Sequence, residues 1–356
     1  MNPATDATVI SAPTDQSFSV KARNMSAFAA VCVMIIHAGN GGMGSFAAKM
    51  MHQFFGWGVC TFAVPWFFFA SGYFLGGHLG EPNWWTRAMS SRLRTLVLPY
   101  ALWCGIFILF STTLGVLASP HDDLALPGLP AIVHALFKGF GLDFSEHPSL
   151  VPFWYIRALM IIVLFSPVLV WALRRWKWCV PAAMLPAYVY CCAVNNCHVM
   201  PWFLFYSPFS LAGWIYFSMG LLVRMYGCPK LVHRIGAKAA WAGALAIICA
   251  GRFALYSKQP EFAGVAWLAG IPLLMLGTWR LMPAVPLPTW FTSSAFPVYA
   301  LHYFVAYSLE HTILPIAHPA WWAYPLRAAM IIVASFALAH ALRKFPAAAD
   351  LLFGGR

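Results

Sequence analysis

Apolar residues in this 356-residue chain fall in long, nearly unbroken runs, not in the one-faced stripe of a surface helix. A run of about 20 apolar residues matches the roughly 30 Å hydrocarbon core of a bilayer, so each predicts a helix that crosses a membrane. The runs lie at 23–39, 54–77, 96–118, 153–173, 179–195, 209–225, 239–256, 262–282, 293–313 and 320–342. The expected fold is all-α, a polytopic membrane helix bundle of about ten transmembrane helices. Residues 40–53, rich in Gly and Met, read as an outer loop. Residues 78–95 carry Arg87, Arg92 and Arg94 and read as an inner loop with an interfacial stretch, Trp84 and Trp85 at headgroup depth. The longest break, 119–152, holds Asp122, Asp123, Asp143 and Glu146 with several prolines, and a loop of that length in a compact bundle points to function. Residues 1–22 read as a disordered tail that lacks the basic start of a cleavable signal, 23–345 as one transmembrane domain, and 346–356 as a short tail.

Composition supports this reading and removes others. The chain is 61% hydrophobic and 9% charged, with a mean hydropathy of +0.72; a soluble domain carries far more charge over its surface. A net charge of +12 would suit nucleic acid. With the N-terminus inside, however, roughly sixteen of the 22 bases fall in inner loops, from Lys21 and Arg23 through Arg174, Arg175 and Lys177 to Arg343 and Lys344. The basicity therefore has a topological cause, no nucleic-acid partner is expected, and both termini are expected in the cytoplasm of a cell membrane. Six bases lie outside that set. Lys49, Lys138 and Lys258 fall in outer loops, and Arg157, Arg252 and Arg327 lie near outer helix ends, in the layer of Glu310 and His311. Singly, such side chains snorkel to headgroups; collected, they would line a polar pocket open to the outside.

Two imidazoles sit within apolar runs. His37 closes the stretch RNMSAFAAVCVMIIHAG, about 20 Å along the helix from Asn24, and His302 lies in FPVYALHYF with Tyr299 one turn earlier. An ionisable group at such depth marks a site or is satisfied by a neighbouring helix, and either reading fits both residues. Cys191, Cys192, Cys197 and His198 cluster without a zinc-ligand spacing, so no metal is expected. The sequence contains no phosphate-cradling glycine loop, G-x-S-x-G or H-E-x-x-H.

The order of several short pieces resembles the acyltransferase type 3 family of integral membrane O-acyltransferases. These are Val33 and His37 ending the first helix, the Phe run with Ser71, Gly72 and Tyr73, the basic stretch before Pro99 and Tyr100, the opening Phe153, Trp154, Tyr155, and Val298 to His302. The resemblance implies transfer of an acyl group, often acetyl, to a hydroxyl of a glycan or lipid-linked sugar. The donor would be acyl-CoA (acetyl-CoA), a co-substrate and not a resident cofactor. It implies His37 as general base, since imidazole has the pKa for that task near neutrality. Arg23, Arg87, Arg92 and Arg94 would hold the anionic donor, with Ser71 and Tyr73 beside it. Trp154, Tyr155, Arg157, Tyr299, His302, Arg252, Arg327 and Glu310 would form the tunnel or the acceptor side. In one place the chain departs from the pattern. The family arginine about three turns before the histidine is replaced by Ser26, and the nearest base is Arg23, a turn earlier but within about 40° of the same face. A secondary transporter for a small polar or anionic molecule is the competing class; it calls for matching broken helices in two halves, which the sequence does not show. The oligomeric state is open.

Overall fold

The computed structural model describes residues 15–39, 44–118, 148–194, 210–256, 260–311 and 320–355. Its helices of eight residues or more are α1 (Asp15–His37), α2 (Ala63–Gly76), α3 (Trp84–Arg92), α4 (Leu98–Ala118), α5 (Trp154–Leu164), α6 (Ser166–Trp176), α7 (Cys179–Val194), α8 (Leu211–Tyr226), α9 (Ala237–Tyr256), α10 (Pro260–Leu281), α11 (Ala295–His311), α12 (Ala323–Leu342) and α13 (Pro346–Phe353). Among the described residues there is no strand. The protein is an integral membrane protein. Among the described residues, four helical segments are long and apolar enough to cross a bilayer, Ser17–His37, Phe46–Gly76, Trp84–Thr113 and Ala323–Leu342, and α5 with α6 make a fifth if the bent pair is one span. Cys179–Tyr190, Ala237–Gly251 and Leu268–Leu281 are apolar but shorter. The sequence-based number of about ten spans is larger than the number of full-length candidates among the described residues, and several of the expected spans include residues outside them.

Four boundaries differ from the sequence reading, each for a local reason. α1 begins at Asp15, inside the stretch expected to be a tail, because Phe18 stacks on Tyr73 with ring centroids 3.8 Å apart and anchors that turn. Part of the expected outer loop is helical, at Phe46–Met51, with Ser45 Oγ accepting from the Ala48 amide as an N-cap. The expected single helix at 153–173 is two, bent by 65°. Pro167 has no amide to return to the Val163 carbonyl, and Ser166 Oγ donates to that carbonyl at 2.7 Å instead. The expected tail at 346–356 contains α13, which packs on α4.

α1 runs through the middle of the bundle, against α2, α11 and α12. α2 and α8 cross closely. A Cβ on Gly72 would overlap the Phe217 carbonyl, and one on Gly220 the Phe69 carbonyl, so two glycines set the distance of approach. A π-helical turn, Leu93–Val97, joins α3 to α4 just before Pro99, the kind of irregular turn that recurs at functional sites.

Candidate active site

The N-terminal half of α1 forms one wall of a cavity of about 670 Å³, within the size range of small-molecule sites. Arg23 and Ser26 come from α1, Ser71 from α2, Arg92 and Thr95 from the α3–α4 junction, Tyr155 from α5, and Thr292, Ser293 and Tyr299 from the start of α11 and the turn before it. Two guanidiniums and several hydroxyls therefore face one apolar-walled space. Such a lining suits an anionic ligand rich in oxygen, because guanidinium pairs with phosphate bidentately and hydroxyls both donate and accept. Ser26 is fixed within this wall by Trp66 Nε1, which donates to its Oγ at 3.1 Å.

At the other end of α1, about 16 Å further along the helix, His37 meets His302. Their ring centroids are 5.1 Å apart, and Tyr303 lies edge-on to His37 at 5.5 Å. His302 is fully buried, and its Nδ1 lies 2.7 Å from the Tyr299 carbonyl oxygen. A carbonyl only accepts, so Nδ1 carries the proton and Nε2 of the neutral ring presents a lone pair; among the described residues that Nε2 has no hydrogen-bond partner. Tyr299 joins the two regions. Its ring lines the cavity and stacks on Phe153 at 5.7 Å, its hydroxyl donates to the Pro152 carbonyl, and its own carbonyl holds His302.

The end of α1 that carries His37 is held by three side chains. The last carbonyls of a helix lack partners within it. Here Tyr324 hydroxyl donates to Ile35 oxygen at 3.2 Å, His52 Nε2 to Ile36 oxygen at 3.0 Å, and Arg327 Nε to Ala38 oxygen at 3.1 Å. Arg327, 2% exposed, also pairs through Nη1 with Glu310 Oε2 at 3.1 Å. A cation at a helix C-terminus is favourable, and the carboxylate balances its burial. Gly39 leaves the space that His52 occupies, since a Cβ there would overlap the imidazole.

The acyltransferase domain family (Acyl_transf_3) matches residues 24–342. The chain belongs to this acyltransferase family. A curated relative, the succinoglycan biosynthesis protein ExoH of Rhizobium meliloti (strain 1021), is 27% identical over 219 residues, 60% of this chain and 54% of that protein. The chain thus spans about half the length of that relative. No solved structure matches.

In this chain the residues singled out from sequence separate into groups. Arg23, Ser71, Arg92, Tyr155 and Tyr299 line the cavity together, and His37 and His302 form the imidazole pair. Arg87 and Arg94 are exposed and do not line the cavity. Arg87 pairs with Glu81 at 3.2 Å, and the His78 hydrogen bond, with Arg87 in support, holds the Glu81 carboxyl below its ordinary range. Tyr73 is buried outside the cavity, stacked on Phe18 with the Arg224 guanidinium 5.4 Å above its ring. Trp154 is buried against Phe68, and Arg157 is buried on α5 and does not line the cavity.

Of the expected acceptor layer, Arg157, Arg327 and Glu310 lie among the residues whose side chains are described. Arg327 caps α1 and pairs with Glu310, so the orphan carbonyl of Ala38 and the carboxylate together satisfy the buried guanidinium. Arg252 lies on α9, its side chain outside the described residues, as is the acidic part of the 119–152 break. Thr95, Thr292 and Ser293 line the cavity, and His52 and Tyr324 bond the end of α1; none was singled out from sequence. Their only signal was a polar group at the edge of an apolar run. Among the described residues no group of three or more His, Cys, Asp or Glu is placed to hold a metal ion.

Proposed function

We propose that this acyltransferase moves an acyl group, acetyl in the simplest case, from acyl-CoA bound in the cavity to a hydroxyl of a glycan or lipid-linked sugar, with His37 as general base. The observation that carries the reading is the double use of α1, which offers Arg23 and Ser26 to the cavity and His37 to His302 at its far end. The guanidiniums of Arg23 and Arg92 hold the donor's phosphates. Arg23 takes the part of the family arginine that Ser26 displaces. The pantetheine arm runs past Tyr299 toward the imidazoles, a distance an extended thiol arm covers. His37 takes the proton of the acceptor hydroxyl as its oxygen attacks the thioester carbonyl. The C–O bond forms, the C–S bond breaks, and the imidazolium returns the proton to the departing thiolate. Tyr299 and His302 shape the passage between donor and base.

The charge pattern supports a donor on the cytoplasmic side, with both termini there and Arg23 and Arg92 at the inner face. His37 lies toward the opposite face, which suits an acceptor outside. The relative's name, a succinoglycan biosynthesis protein, supports a polysaccharide or its lipid-linked precursor as acceptor. The test is transfer of label from acetyl-CoA to glycan by the purified protein. Arg92→Glu is expected to raise the KM for acetyl-CoA at least about tenfold with kcat little changed, because it removes a phosphate partner far from the reacting atoms. Arg94→Glu, outside the cavity, is expected to leave that KM unchanged. Equal effects of the two reversals would remove the cavity as donor site.

A further inference from the structure

We infer that the segment from Arg343 to Gly354 braces two walls of the donor cavity and so sets how tightly the donor is held. The inference rests on the cavity being the donor site. The segment lies beyond residue 342, where the family match stops.

One wall carries Arg92 and Thr95 at the α3–α4 junction. α13 docks directly behind it. Phe353 is 1% exposed and stacks on Trp103 of α4, centroids 6.0 Å apart at 23°, while Trp103 Nε1 donates to the Leu352 carbonyl at 2.8 Å. The next residue, Gly354, turns the chain with φ +66° and lies flat on the wall. A Cβ there would stand 2.8 Å from Thr95 Cα and 3.2 Å from the Arg94 carbonyl oxygen, so only glycine permits both the left-handed turn and the approach. The part of the wall it presses on is the π-helical turn Leu93–Val97, a conformation seldom found outside single turns within helices.

The second wall carries Thr292 and Ser293. Arg343, just past α12, donates through Nη1 to Ser294 Oγ at 3.1 Å, and Ser294 Oγ in turn donates to the Trp290 carbonyl at 2.5 Å. One short segment is thereby tied to both sides of the cavity, by a guanidinium on one and by a buried aromatic ring and a glycine on the other. Its residues touch no ligand. They are positioning residues for Arg92, Thr95 and Ser293.

The experiment uses the full chain in lipid nanodiscs with acetyl-CoA as the donor. Phe353→Ala, Gly354→Val and Arg343→Gln are each expected to raise the KM for acetyl-CoA about three- to tenfold with kcat within about twofold, since they shift the wall and not the reacting centre. Phe353→Leu, which keeps apolar volume in the same place, is expected to return the KM toward wild type. An unchanged KM in these variants, while Arg92→Glu raises it, overturns the brace and spares the cavity. If Arg92→Glu also leaves the KM unchanged, the cavity is not the donor site and the brace falls with it. A fall in kcat at constant KM likewise overturns the inference. Should the Phe353 and Gly354 variants fail to insert, Arg343→Gln alone decides, because it removes one hydrogen bond and leaves α13 in place.

Discussion

His37→Ala is expected to lower acyl transfer by about 10²–10⁴-fold, the usual contribution of a positioned general base, while the protein still inserts at wild-type levels. The asymmetry follows from where the residue sits. α1 is held by buried Met25, Ala29, Ala30 and Met34 along its length and by three capped carbonyls at its end, none of which involves the His37 ring. Truncating one half-buried imidazole therefore costs the bundle little and the chemistry much. The measurement is the rate of label transfer per mole of purified protein, with the amount inserted measured in parallel. A wild-type rate in the variant would remove His37 from the mechanism.

The second large effect is expected at Arg327. Arg327→Leu strips the Ala38 carbonyl of its donor and leaves Glu310 without its cation, so the turn that follows His37 loses the contact that fixes it. The expected result is a drop in kcat of about tenfold or more, since displacement of a catalytic group by a fraction of a bond length is costly. The KM for acetyl-CoA is expected to stay near wild type, because the cap and the cavity lie at opposite ends of α1. Arg327→Lys keeps the charge at the helix terminus but not the paired Nε and Nη1 bonds, so it should fall between the two. A rise in KM with intact kcat would show that Arg327 serves the donor and not the base.

The class of fold was legible because bilayer thickness acts on each segment separately, and an apolar run reveals it without knowledge of neighbours. Arg23, Arg92 and Ser71, expected beside the donor, and Tyr155 and Tyr299, expected at the tunnel or acceptor side, line one cavity although they come from separate parts of the sequence. What stayed hidden was set by contacts between distant segments. His52 read as a loop residue because nothing in its neighbourhood indicates that it bonds the Ile36 carbonyl over a glycine. That Arg327 reaches the end of α1 and pairs with Glu310 was hidden as well, since charge at depth gives no clue to a helix end as its partner. The bend at Pro167 was visible in principle; the apolar run around it is long enough to span, and length outweighed the proline. α13 is short and sits next to the polar Arg343 and Lys344, so it read as a tail, although Phe353 and Gly354 find their places only against α4 and the turn before it.

The central claim is that the donor is held at one end of α1 and the acceptor is met at the other, so that an acyl group crosses most of the bilayer within one protein. Sealed vesicles with the protein in a single orientation test it directly. Labelled acetyl-CoA is added only to the face that carries Arg23 and Arg92, with a glycan acceptor confined to the opposite face. The account predicts label on the acceptor and free CoA on the donor's side, both lost in His37→Ala. Transfer only when donor and acceptor share one face would contradict it.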